Sequence, residues 1–213
     1  MTSVVAICNL ALSNVGKDNI SDLDEASAEA KLCKQFYEHT RDAVLQSYPW
    51  RFARKTEALA EIANTMGNRW LHSYRRPVDC LKIRRVNNEQ FADYMPYSDG
   101  IVAGGFAFDI EGTTIFCDLK PAYLEYTMRL EDPTKYPPLF IEALAWHLAV
   151  RLAMPLTRDP KVRADAFQLA MRMQNDAAVA DANEVRETSD SPSEMMEARG
   201  EGLKYDRNGR VIG

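Results

Sequence analysis

Ser47-Tyr-Pro-Trp-Arg-Phe-Ala-Arg54 is where the chain changes its grammar. On its N-terminal side, Cys33, Phe36, Tyr37, Thr40, Val44 and Tyr48 recur at helical spacing, while Lys31, Lys34, Glu38 and Asp42 occupy the opposite face. A long amphipathic helix is therefore expected to run to about Tyr48, and Pro49 ends it, because proline disfavours helical dihedrals in the residue before it. On the C-terminal side, apolar residues come in short runs rich in aromatic and β-branched side chains. These are Trp70-Leu-His-Ser-Tyr74, Cys80-Leu-Lys-Ile-Arg-Arg-Val86, Phe106-Ala-Phe-Asp-Ile110, Thr114-Ile-Phe-Cys117 and Ala122-Tyr-Leu-Glu-Tyr-Thr-Met128. Several alternate apolar with polar, as a half-buried strand must. Glu111-Gly112-Thr113 reads as a hairpin turn, and 87–105 as a loop with weak strands.

Further out, helical periodicity returns at both ends. Val4, Cys8, Ala11 and Val15 predict an opening helix from about Ser3 to Val15, with Gly16 at its left-handed cap. Ser21-Asp22-Leu23-Asp24 fits a capping box for the second helix. Pro137-Pro138 suit the first turn of a third helix whose stripe is Phe140, Leu144, His147, Leu148 and Leu152. Pro155 to Asp159 is expected to turn the chain, and Pro160 to open a last helix reaching about Glu184. The fold class is thus α+β. The terminal helices, 1–50 and 137–186, form a helical bundle domain with an inserted antiparallel β-rich domain, 51–136, and 187–213 is an extended or disordered C-terminal tail. That tail is poor in apolar residues, and Leu203, Tyr205, Val211 and Ile212 are its available anchors.

The last helix carries a small-sided stripe of Ala166, Ala170, Met173, Ala177 and Ala180, which permits close helix approach. Ala166, Ala170, Met173 and Ala177 are candidate subunit-interface residues; packing within one chain is the competing reading.

The 213 residues suit one domain or a compact pair, and an apolar fraction of 46% suffices for a core. A net charge of −5 argues against a dedicated DNA-coating protein, which needs clustered Lys and Arg. The first apolar stretch, Val4 to Val15, is too short to span a bilayer and has the wrong flanks for a signal peptide, so a soluble chain made in the cytoplasm is expected. Cys8, Cys33, Cys80 and Cys117 lie far apart in sequence without metal-ligand spacing and read as free buried thiols. No cofactor is expected.

Motifs that carry chemistry are sparse. Gly100-Ile-Val-Ala-Gly104-Gly105 lacks the lysine of a phosphate loop and leads into a strand. His39 is expected on the surface, His72 on the solvent face of a strand, and His147 as a hydrogen-bonded core or interface histidine. Asp109 with Glu111, or Asp118 with Glu125, has the composition of a carboxylate pair, but 31 acids in one chain produce such pairs by chance. Positive charge gathers in Arg51, Arg54, Lys55, Arg69, Arg75, Arg76, Lys82, Arg84 and Arg85, with Trp50, Trp70 and Tyr74 interleaved. This reads either as a nucleic-acid module or as strand faces salt-bridged to an acidic neighbour in an oligomer; the acidic total favours the second.

Taken in order, several segments resemble the tail tubular protein A family of short-tailed phages, the head-to-tail adaptors. They are Cys8-Asn-Leu-Ala-Leu12 through Val15-Gly16-Lys17 and Ile20-Ser-Asp-Leu23; Tyr37-Glu-His-Thr-Arg-Asp-Ala-Val-Leu45 with Ser47-Tyr-Pro-Trp-Arg-Phe-Ala-Arg54; Arg76-Pro-Val-Asp-Cys-Leu-Lys-Ile-Arg-Arg-Val86; and Tyr126 to Asp132, Phe140-Ile-Glu-Ala-Leu144 and Leu148 to Asp159. The match covers most of residues 1–186, and its ordered set rather than any one motif carries it. The resemblance implies a structural virion protein and not an enzyme. It implies self-assembly into a ring, commonly dodecameric, between the portal protein and the tail nozzle (tail tubular protein B), lining a channel through which DNA passes without specific binding. It also implies a location in the virion neck, with no membrane contact. Tyr205, Val211 and Ile212 are then expected to dock on the portal. The rival expectations are an adaptor-like head-completion protein with peptidoglycan-degrading activity, a DNA-binding regulator using the Arg-rich strands, and a plain helical-β protein that forms no ring.

Overall fold

A computed structural model describes residues 2–88, 106–184, 204–205 and 211–212. The order is α1 (Val4–Asn14), α2 (Ala28–Ser47), β1 (Arg54–Ala58), β2 (Glu61–Ile62), β3 (His72–Arg75), β4 (Cys80–Asn87), β5 (Phe108–Glu111), β6 (Thr114–Cys117), β7 (Tyr123–Met128), α3 (Pro138–Thr157) and α4 (Pro160–Asn183). It is an α+β fold with terminal helices and an inserted antiparallel β region. Residues 1–182 form one compact unit, and 183–213 a second.

Helix ends follow local chemistry. Ser3 caps α1 by accepting from the Ala6 N–H at 3.1 Å. At its other end Gly16 takes φ +68°, with Gly16 N–H donating to the Ser13 carbonyl and Lys17 N–H to Leu12, the paired bonds of a Schellman ending. The start of α2 differs from the expected capping box at Ser21. Asp22 Oδ1 accepts from Asp24 N–H at 2.7 Å, and Glu25 Oε2 accepts from Ser21 N–H at 3.0 Å. These local bonds hold a polar turn, and the cap falls to Ser27, whose Oγ accepts from Ala30 N–H at 3.2 Å.

The third helix also departs from expectation: it runs through Pro155 to Thr157. Pro155 lies in the final turn, where a missing N–H forgoes a single ladder bond. The turn is confined to Arg158 and Asp159, with Arg158 left-handed at φ 55° and Asp159 Oδ1 accepting from Lys161 N–H at 2.8 Å to start α4. By composition α3 is long and apolar enough to cross a membrane (mean hydropathy 1.4), but Phe140, Leu144, Leu148 and Leu152 along it are core residues. A helix apolar on most sides is what the centre of a helical layer requires. Packed on it are α1 and α2, and the cluster they share includes Ile7, Leu12, Leu45 and Trp50.

Two antiparallel sheets make the insert, in orders β1–β7–β4 and β2–β3–β6–β5. They share a second core in which Val86, Leu124 and Tyr126 of the first sheet meet Tyr74, Ile115 and Cys117 of the second. The β5–β6 hairpin closes through Gly112-Thr113, with Gly112 at φ +58° first in a two-residue loop. The two cores are laced together. Arg84 Nη2 donates to the Gln46 and Tyr48 carbonyls at the end of α2, while its Nε donates to Thr127 Oγ1 on β7 at 2.8 Å. Arg129 Nε meets Asp42 Oδ2 at 3.0 Å, and Met128 packs against both clusters.

In the C-terminal unit, β8 (Lys204–Tyr205) and β9 (Val211–Ile212) pair antiparallel, Tyr205 opposite Val211. The expected extended tail thus contains a short ladder. The side chains of Tyr205, Val211 and Ile212, the glycine-rich stretch 100–105 and most of the loop expected at 87–105 lie outside the described residues.

Candidate interaction surfaces

The basic cluster is largely spent inside the chain. Glu125, buried on β7, takes Arg85 at 2.6 Å and Arg54 at 3.9 Å. Lys55 reaches Asp79 at 3.1 Å and Glu57 at 2.9 Å, and Arg69 reaches Asp109 at 3.4 Å. Arg76 donates to the Cys80 carbonyl at 2.8 Å. The Arg51 backbone N–H is held at 3.1 Å by both oxygens of Asp181, a buried α4 residue that sequence reasoning did not single out. Arg75 and Lys82 are exposed. The strand faces do form salt bridges, and the carboxylates they meet here belong to the same chain. Of the interleaved aromatics, Trp50 and Tyr74 are buried and offer no stacking face, Trp50 donating to the Val44 carbonyl at 2.9 Å and Tyr74 to Leu119 at 2.6 Å; Trp70 is half-buried.

Asp79, from the quoted Pro-Val-Asp-Cys-Leu segment, is the hub of a small polar network. It accepts from the Tyr126 hydroxyl at 2.8 Å, and Lys55 stands 5.6 Å over the Tyr126 ring. Burial works against the Asp79 carboxylate, yet the Tyr126 hydroxyl and the Lys55 ammonium hold its pKa below the usual value.

Asp118 and Glu125 do not assemble as a pair. Asp118 accepts from the Leu71 N–H at 2.9 Å beside the four-stranded sheet, while Glu125 is committed to arginines on the three-stranded one. Asp109, beside Glu111 on β5, is taken by Arg69. Among the described residues no group of His, Cys, Asp and Glu is placed to hold a metal. All four cysteines are buried and free. Sequence separation hid one fact about them, since Cys8 of α1 and Cys33 of α2 are neighbours in the helical core; the adjacent thiol and burial push the Cys8 pKa up.

His39 is exposed as expected. His72 is not on the solvent face: it is half-buried, its Nδ1 2.8 Å from Glu61 Oε1, while Leu71 is 68% exposed. His147 lies half-buried on α3, with Nε2 2.6 Å from Gln174 Oε1 of α4; Gln174 Nε2 donates onward to Ser47 Oγ at 3.1 Å. Burial lowers its pKa, the Gln174 bond opposes that, and Arg151 adds to it.

Ala166, Ala170 and Ala177 are buried by the chain itself, and Met173 is partly buried against the helical core. A neighbour reaching α4 therefore meets other residues than this stripe. The apolar side chains α4 does present are Phe167, Leu169, Met171 and Val179. Phe167 lines an open groove of about 420 Å³ with Phe36 of α2 and Val150 and Met154 of α3, and Arg151 and Arg163 stand at its sides. A smaller groove of about 130 Å³ continues from it past His147 and Arg151 toward Thr40 and Ser47. No acidic residue lines either groove among the described residues.

No family model matches the chain, and no curated protein matches it at a significant level.

Proposed function

We propose that this chain is a structural head-to-tail adaptor of a short-tailed phage, a subunit of a ring, dodecameric by the family's habit, seated between portal and tail nozzle. The observation that carries the reading is how the family-like segments meet. Asn9, from the first, accepts from the Ile20 N–H at 2.9 Å and donates to the Ile20 carbonyl at 3.0 Å, Ile20 opening the next quoted segment. Trp50 of the helix-to-strand junction stacks edge-on to Phe140 of α3, ring centroids 5.1 Å apart. Tyr126 bonds Asp79 across β7 and the turn before β4. Residues recognised by their order along the chain are thus the joints of one body, as a signature kept for architecture rather than for chemistry would be.

The role assigned is assembly, with no reaction and no cofactor. A net charge of −5 suits a channel from which DNA must leave without sticking. The chain is made in the host cytoplasm and ends in the virion neck, with the C-terminal segment around Tyr205, Val211 and Ile212 directed to the portal. Quantitative mass spectrometry of purified particles tests this. Many copies per particle, in fixed ratio to the portal protein, are expected; infectious particles that lack the chain would overturn the proposal.

A further inference from the structure

The groove between α3 and α4 leaves costly surface in water. Phe167 is 54% and Met154 37% exposed, and Phe36 and Val150 beneath them are only half-buried. Arg151 and Arg163, both exposed, give this apolar bed a positive rim in a chain whose net charge is −5. Its complement must be apolar with a carboxylate beside it. The same chain offers one at the other end of α3: Leu139, 44% exposed in the first turn, and Glu142, exposed on the same helix face one turn on.

Leu139 and Met154 are separated along one rigid helix by about 22 Å at 1.5 Å per residue. A chain cannot bring the two together within itself. Resting on the ring reading above, we infer that a second copy of this chain fills the groove, Leu139 entering the apolar bed and Glu142 facing Arg151 and Arg163. The contact joins two different patches, so it is heterologous and repeats from copy to copy until a ring closes. Charge on the rim sets the register while the apolar bed supplies the adhesion.

Charge reversal at exposed positions tests this without disturbing the core. Full-length Glu142→Arg and Arg151→Glu chains, alone and mixed, are compared with the parent by sedimentation, both free and on the portal protein. Each single reversal is expected to weaken association between copies by about tenfold or more, and mixing the two to restore it, because each reversed patch then meets its complement. If copies still assemble on the portal and neither reversal weakens them, the groove assignment falls while the ring stands. If no multi-copy assembly forms even with the parent chain, the ring reading itself fails. Duplex DNA binding by the parent that Arg151→Glu abolishes, with assembly unchanged, would show the groove to be a nucleic-acid site and overturn the inference.

Discussion

Trp50 closes the helical core at the point where α2 gives way to strands. It is 1% exposed, and its indole N–H satisfies the Val44 carbonyl. Replacing it with phenylalanine keeps the aromatic cluster but removes the donor and part of the volume. Trp50→Phe is therefore expected to cost about 1–3 kcal/mol in urea unfolding. His147 makes a pH-dependent contribution. Its folded pKa lies below its unfolded value, so the unfolded chain takes up the proton first. Stability is then full above the unfolded value near 6.5, and is lost as pH falls from there through the folded pKa. His147→Gln, which does not titrate, is expected to flatten the fall in unfolding midpoint between about pH 7 and pH 5. A His147→Gln midpoint that falls on acidification more steeply than the parent's would contradict that sign.

Arg158 ends α3 in the left-handed region, a conformation that costs a non-glycine residue about 1 kcal/mol or more. Arg158→Gly removes that strain, and a gain of about 0.5–1 kcal/mol, read as a higher Tm, is expected after the loss of some favourable charge at the helix end. Arg84 ties the elements together, bridging the last carbonyls of α2 to Thr127. Arg84→Met keeps most of the stem and loses the bonds. A cost of about 1–3 kcal/mol is expected, with amide exchange rising in β4 and β7 more than in α3. Much of this architecture is visible in the residues beforehand. The β6 strand and the Gly112 turn are read to the residue, because a short β-branched and aromatic run directly follows a glycine there. The β1 strand is not. Its inward positions are Lys55 and Glu57, half-buried charges neutralised by Asp79 and by each other, so period-two hydrophobicity is absent. Ser21 drew the helix start because its spacing fits a cap, whereas the Asp22 turn had already claimed the local backbone donors.

Function was less legible than fold, for a related reason. The arginines of the β region stand out in sequence by their number, but their partners are set by sheet pairing: Glu125 lies beside Arg54 and Arg85 only once β7 sits between β1 and β4. Asp181 finds Arg51 across most of the chain. The groove lined by Phe36, Val150, Met154 and Phe167 draws on three helices, and no local pattern announces it. Local spacing instead pointed to the alanine stripe of α4, which the fold covers itself. The resulting body is a well-knit unit in which most arginines of the β region meet partners of the same chain, while α3 and α4 leave Leu139, Met154, Phe167, Leu169, Met171 and Val179 exposed. Those properties suit the ring subunit proposed above. Light scattering of the purified chain mixed with the portal protein of the same genome tests this most directly. The expected result is a portal that gains the mass of a full ring of chains and can then bind the tail nozzle. A portal whose mass stays unchanged at saturating chain, with every copy eluting free, would contradict it.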